Sequence, residues 1–314
     1  MRIELIKFTK HGGPLTKRIS LATDGTLVKD DSACAMGRGA AERVGLDGVN
    51  ALGALIEDLT SSQALALGAL RADLPNKVEV TTAREVNGEA RPGLIARTGA
   101  NIILDYDSKG MPATVAAELR RLGGFGPALV TVLPALKGTA HLVRLSTSAG
   151  LSRDDTGEAL PGSDGVHVFV EVKDGSDIER FLKTLHERCW LAGFGWMVVS
   201  KSGALLERSI VDRTVGGPER LVFEGGPVLV PPLQQDKESR RPIAVDGVVL
   251  DTKAVCLPLS IVERARLNEL KAKERERTPP ACARRWRRRQ KRTSSRPLSG
   301  SQQVPTSTRS SWRI

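Results

Sequence analysis

The stretch Ile102-Ile103-Leu104-Asp105-Tyr106-Asp107 constrains this chain more than any other. Three apolar residues run into two aspartates spaced i and i+2, and Gly110 and Pro112 end the run. A strand has a side-chain period of two, so both carboxylates leave the same face of a sheet. A carboxylate pair at the polar end of a buried strand is costly unless a cation sits with it. Two hard oxygen ligands on one face suit Mg²⁺ or Mn²⁺, which points to a site that handles phosphate. The same pattern also arises as a plain strand end and turn, so the rest of the chain has to decide.

Charge does not decide it. The net charge of +11 is concentrated at one end: from Lys271 onward there are 14 Lys and Arg against two acids, whereas residues 1–270 carry 33 against 34. The body is therefore close to neutral, and the overall basic balance is no argument that the folded part binds nucleic acid. An apolar fraction of 40% with only 4% aromatics means that Leu, Val, Ile and Ala must fill the core. Cys34, Cys189, Cys256 and Cys282 are far apart and form no C-x-x-C pair, so free thiols in a reducing cytosol are expected. Met1 to Gly13 has no signal-peptide apolar region, and no apolar stretch reaches the roughly 20 residues of a membrane span. The expectation is a cytoplasmic protein without a membrane partner.

Three segments follow from composition and periodicity. Residues 1–91 read as an N-terminal accessory α/β module without evident chemistry. They hold short strands at Ile3–Phe8, Ile19–Ala22 and Thr26–Val28, a hairpin at Asp24-Gly25, and a helix with Val49, Leu52, Leu55, Ile56 and Leu59 on one stripe. A second short helix is expected over Ala64–Leu70, and a strand over Val78–Thr81. Residues 92–277 read as the catalytic unit. After the Asp105 strand, Pro112 opens a helix that Gly123-Gly124 ends, and strands are expected at Ala128–Val132 and His141–Leu145. Gly165–Val172 alternates: Val166, Val168, Val170 and Val172 face one way, and His167, Phe169 and Glu171 the other.

Ser176 and Glu179 make an S-x-x-E capping box before a stripe of Ile178, Phe181, Leu182 and Leu185, with Gly193 closing the helix. Trp196–Val199 and Ala204–Val211 form an antiparallel hairpin across a Gly-containing loop. Asp246-Gly247 predicts one more hairpin, toward Val249 and Leu250, and Ser260 with Glu263 caps a polar helix to about Arg277. Residues 278–314, rich in Arg and Ser, cannot offset their own ordering entropy and are expected to be disordered, with a capacity to bind nucleic acid through phosphate charge.

Three chemistry-bearing features each follow an apolar strand: Asp105 with Asp107, His167, and Asp212. They stand as Ile102-Ile103-Leu104-Asp105-Tyr106-Asp107, Gly165-Val166-His167 and Ile210-Val211-Asp212. This ordered set resembles the archaeo-eukaryotic primase (prim-pol) superfamily. Its motifs are a hydrophobic-D-hydrophobic-D/E strand, a small-x-His strand and a hydrophobic-Asp strand end. The wider runs 146–151, 174–196 and 205–213 look like the prim-pol domain of bacterial plasmid and mobile-element replication proteins, and the resemblance covers roughly residues 92–260.

The resemblance implies an α/β (α+β) fold with an RRM-like core and a mixed or antiparallel sheet. It implies a primase/polymerase-like nucleotidyltransferase working on a single-stranded DNA template with nucleoside triphosphates. Asp105, Asp107 and Asp212 would then hold two divalent ions, Mg²⁺ or Mn²⁺, against the incoming phosphates. His167 would bond those phosphates, with Arg144, Ser146, Ser148, Lys201 and Arg213 as further contacts. Two departures stand out. Gly165 replaces the Ser often found before the His, a role open to Ser146 or Ser148. A Walker A G-x-x-x-x-G-K-[ST] is missing, so any replicative helicase would be a separate chain.

Three other readings compete. A catalytically inactive or truncated replication-associated DNA-binding protein would use the basic tail. A phosphatase of the haloacid-dehalogenase type uses a first-strand D-x-D, but that motif continues to Gly-Thr, and here Ser108-Lys109-Gly110 follows. A glycosyltransferase D-x-D lacks a preceding nucleotide-sugar unit. His141 and His186 read as structural.

Overall fold

The computed structural model describes residues 2–81, 89–90, 95–96, 101–106, 108–160, 165–200 and 202–278. The fold is mixed α/β and built on antiparallel sheets. Arg2–Lys10 is the middle of a six-stranded sheet, paired in antiparallel register with Gly39–Asp47 on one side and Gln63–Ala66 on the other. Both faces of this strand are buried, because apolar residues occupy both phases of its alternation. Ile3 and Leu5 join the main core, while Ile6 and Phe8 pack with Leu15, Leu70 and Val80 in a second cluster.

Helix Gly48–Glu57 follows directly, with Val49, Leu52, Gly53 and Ile56 on its buried stripe. It packs against the second, four-stranded sheet. Gly53 is where the two approach: a Cβ there would lie 3.0 Å from Leu142 Cδ1.

That second sheet carries the candidate site. Its strand order is Asn101–Asp105, Val166–Glu171, His141–Leu145 and Ile243–Val245, every pair antiparallel. One face presents Ile103, Phe169 and Leu142, which lie opposite one another in register. Ile102, Leu104, Val168 and Val170 point to the other face. Helices Ala113–Leu122, Phe125–Val132 and Ile178–Leu191 add Val115, Leu119, Phe125, Leu129, Phe181, Leu182 and Leu185 to the same continuous core. Gly123, at φ 92°, ends the first of them in the left-handed conformation that glycine adopts without strain.

The hairpin Gly195–Val199 with Leu205–Ser209 docks on the edge of this sheet. Its anchor is Trp196, fully buried, whose indole N–H donates to the Lys109 carbonyl at 3.1 Å. Chain segments from beyond the hairpin also complete the N-terminal sheets. Leu221–Val222 pairs with Gln63–Ala66, and Val228–Leu229 lies parallel to Arg18–Leu21.

Four local expectations are corrected. Ala128–Val132 is helical, because Phe125, Ala128 and Leu129 recur at helical spacing after the break at Gly124. Ala64–Leu70 is extended, as strands Gln63–Ala66 and Ala69–Leu70; a short apolar run carries no period of its own, and pairing with Arg2–Lys10 decides it. The Ser176/Glu179 capping box is replaced by Asp174, which accepts from the Ser176 backbone N–H at 2.9 Å and starts a 3₁₀ turn before the helix. Asp246-Gly247 turns no hairpin: Val248 and Leu250 instead form parallel bridges to Thr139 and Val172. The Ser260/Glu263 capping box does open helix Ile261–Arg277. The expected boundary after residue 91, and nearly all of the expected tail, lie outside the described residues. Among the described residues, no helix is long and apolar enough to cross a membrane.

Candidate functional site

The register of the four-stranded sheet aligns Asp105, His167 and Arg144 across three neighbouring strands. Directly opposed residues of antiparallel strands share a face, so the three side chains form one row. Asp105 Oδ1 lies 3.6 Å from His167 Nε2. The hairpin's exit strand then closes on the same place: Tyr106 bridges Val211, and the Asp212 backbone N–H donates to the Asp105 carbonyl at 3.0 Å. Three motif positions distant in sequence thus meet at one sheet edge, Asp212 through its backbone.

The fourth member was not foreseen. Glu224, in Leu221-Val222-Phe223-Glu224-Gly225-Gly226, is completely buried. Its carboxylate accepts from His167 Nδ1, and its Oε2 lies 3.4 Å from Arg144 Nε. Gly225 makes the approach possible, since a Cβ there would fall 2.2 Å from the Thr60 carbonyl oxygen. The sequence signal was an acid inside an apolar strand end, followed by two glycines, and nothing local said what it would meet.

Electrostatics in this row favour a charged imidazole. Burial alone would lower the pKa of His167, but the charge and hydrogen bond of Glu224, with the Asp105 charge, carry it above the ordinary 6.5. With Nδ1 held by Glu224, Nε2 is the nitrogen turned toward Asp105.

Asp105 and His167 line a cleft of about 440 Å³. Ser146 and Thr147 contribute hydroxyls to it, Arg220 contributes a cation, and the N-terminal segment adds Lys17 and Cys34. The first third of the chain, read as without chemistry, therefore supplies part of this wall. The other expected residues are dispersed. Asp212 lines a neighbouring cavity of about 510 Å³ together with Arg213. Its Oδ1 accepts from the Thr214 backbone N–H at 2.8 Å and the Thr214 hydroxyl at 2.7 Å, and its Oδ2 faces Arg220 at 4.0 Å. Arg144 opens onto a third cavity, behind Glu224. Ser148 is buried and accepts from Lys29 Nζ at 3.0 Å. Asp107 and Lys201 lie outside the described residues.

Among the described residues, no group of three or more His, Cys, Asp or Glu is spaced to hold a metal ion. Asp105 and Asp212 bring two carboxylate-bearing residues into backbone contact. Their chemistry suits a hard cation such as Mg²⁺, which takes most of its six oxygen ligands from water and phosphate and needs only one or two carboxylates from the protein. Cys34, Cys189 and Cys256 are free thiols. Compared with family models, curated proteins and solved structures, the chain finds no match in any of the three.

Proposed function

We propose that the chain is a prim-pol-type nucleotidyltransferase, acting in the cytoplasm on a single-stranded DNA template with nucleoside triphosphates, in the replication of a plasmid or mobile element. One observation carries the reading: the Asp212 N–H bonds to the Asp105 carbonyl while His167 stands opposite Asp105 in register. The resemblance requires these positions to converge, and nothing in their sequence separation does so by itself.

Connectivity lends further support. Strand Asn101–Asp105, two helices, strands His141–Leu145 and Val166–Glu171, helix Ile178–Leu191 and, after the hairpin Gly195–Val199 with Leu205–Ser209, the bridge at Val211 give this sheet a strand-helix-strand-strand-helix order with a returning segment, interrupted by the short strand Leu151–Arg153. The last segment lies beside the first strand, as an RRM-like core would have it. The antiparallel pairing throughout this sheet argues against a haloacid-dehalogenase phosphatase, whose sheet is parallel.

In this reading Asp105 and Asp212, with Asp107, hold Mg²⁺ or Mn²⁺, which when bound neutralises phosphate charge. His167, held by Glu224, presents Nε2–H as a donor to a phosphate oxygen, and Ser146, Lys17 and Arg220 add donors along the cleft. Templated incorporation on primed and unprimed single-stranded DNA, with Mg²⁺ or Mn²⁺, tests the reading, and the unprimed lane separates priming from extension.

A second reading has its own support. The Asp212 carboxylate caps the following turn, engaged by the Thr214 backbone N–H and hydroxyl. A DNA-binding protein with a decayed site would bind the template in a salt-dependent shift assay and incorporate nothing.

A further inference from the structure

Arg144, the second partner of Glu224, lines a cavity of about 490 Å³ that shares no lining residue with the Asp105 cleft. Arg144, Arg240, Arg241 and Lys237 line it. The carboxylates on its wall, Glu57 and Glu238, are both held by Arg241, at 3.0 and 3.3 Å. Arg144 and Arg240 are 7% and 4% exposed, so neither guanidinium is compensated by bulk water. Arg240 Nε donates to the Ser146 carbonyl at 3.0 Å and Nη1 to Gln235 Oε1 at 3.3 Å, but Nη2 has no hydrogen-bond partner. Arg144 Nη1 donates to the Ile56 carbonyl at 3.2 Å, while its Nε reaches only to 3.4 Å from Glu224, without a hydrogen bond.

The charges do not balance. Among the described residues Glu224 is the one carboxylate within 4.0 Å of Arg144, and it is shared with the His167 imidazole, while Glu57 acts on Arg144 from farther off. Arg240 is buried close enough to Arg144 that burial and, after it, the Arg144 charge push its pKa down to about 10. Buried like charges of this kind are costly unless an anion joins them. A guanidinium presents its N–H groups as a planar fork, which matches the oxygens of a phosphate better than those of a halide. Thr60 and Ser61 place hydroxyls at the same wall.

We propose that this cavity binds a phosphate-bearing small anion, a phosphate monoester or a diphosphate, between Arg240, Arg144 and Lys237. The inference does not depend on the nucleotidyl-transfer reading, because it uses neither Asp105 nor a metal.

The test is isothermal titration of the full chain with inorganic phosphate, pyrophosphate and a nucleoside monophosphate, in EDTA and at constant ionic strength. The wild type is expected to bind at least one of them, with the tightest arm naming the ligand class. Arg240→Gln is expected to weaken binding at least tenfold. Because Arg240 is buried and its replacement risks the fold, the exposed Lys237→Ala serves as the second variant, with a several-fold loss expected. Lys17→Ala/Arg220→Ala, which alters the other cleft, is expected to keep the binding that Lys237→Ala weakens. Absence of binding by the folded wild type would overturn the proposal. So would binding that survives Lys237→Ala unchanged and is lost in Lys17→Ala/Arg220→Ala.

Discussion

Glu224 and His167 are 57 residues apart in sequence, yet the fully buried carboxylate of one accepts the Nδ1 proton of the other. The pair fixes which imidazole nitrogen faces Asp105, and it joins the N-terminal sheet to the candidate site. Glu224→Ala leaves His167 and Arg144 buried without their shared counter-charge, and a loss of about 3–5 kcal/mol in unfolding free energy is expected. Glu224→Gln keeps the volume and removes the charge. Histidine NMR in EDTA is expected to show the His167 pKa falling in that variant; an unchanged value would mean that Glu224 does not control the ring.

Gly225 holds Glu224 in place by letting the chain pass the Thr60 carbonyl. Gly225→Ala puts a methyl 2.2 Å from that oxygen, which is backbone and cannot swing aside. A destabilisation of about 1–3 kcal/mol by overpacking is expected. Denaturant unfolding would read it, and a variant as stable as the wild type would contradict the close approach.

Trp196 ties the hairpin to the loop that follows the Asp105 strand. Trp196→Phe removes the indole N–H that donates to the Lys109 carbonyl, at about 0.5–1.5 kcal/mol. Trp196→Ala adds a large cavity, and a loss of about 3–5 kcal/mol is expected. Denaturant unfolding of the two variants should therefore rank them in that order; equal stabilities would show that the buried ring contributes little.

His186 makes stability depend on pH. Burial first, and the nearby Arg213 charge second, lower its pKa from 6.5 to about 4. Between those values the unfolded chain binds a proton that the folded chain does not, so stability is complete above pH 6.5 and falls as pH drops toward 4. The contribution is about 3 kcal/mol. Unfolding free energies of wild type and His186→Gln should converge as pH falls through this window; parallel curves would contradict the buried neutral ring.

Much of the site's frame was legible in the sequence, because it rests on local periods. The alternation of Val166–Val172 put His167 opposite the valines, and Gly123 and the Ser260 box marked helix ends that the structure contains. What escaped was non-local or ambiguous in period. Glu224 and Lys17 reach the site only through sheet pairing between distant segments, and no residue near either announces it. Ala64–Leu70 and Ala128–Val132 are short apolar runs whose state is set by what they pack against. Arg144 falls on the expected strand His141–Leu145, but Glu224 stands between it and the ring of His167, so it lines a different cavity.

The convergence of Asp105, Asp212 and His167 is the centre of the account, and templated primer extension with Mg²⁺ or Mn²⁺ tests it most directly. Wild type should incorporate nucleotides. Asp105→Ala and Asp212→Ala should each lose at least about a hundredfold in rate, and His167→Ala a comparable amount, since the first two remove carboxylates that would hold the metal and the third a donor to the phosphate oxygens. A folded wild type that incorporates nothing, or an Asp105→Ala variant that extends primers at the wild-type rate, would contradict it.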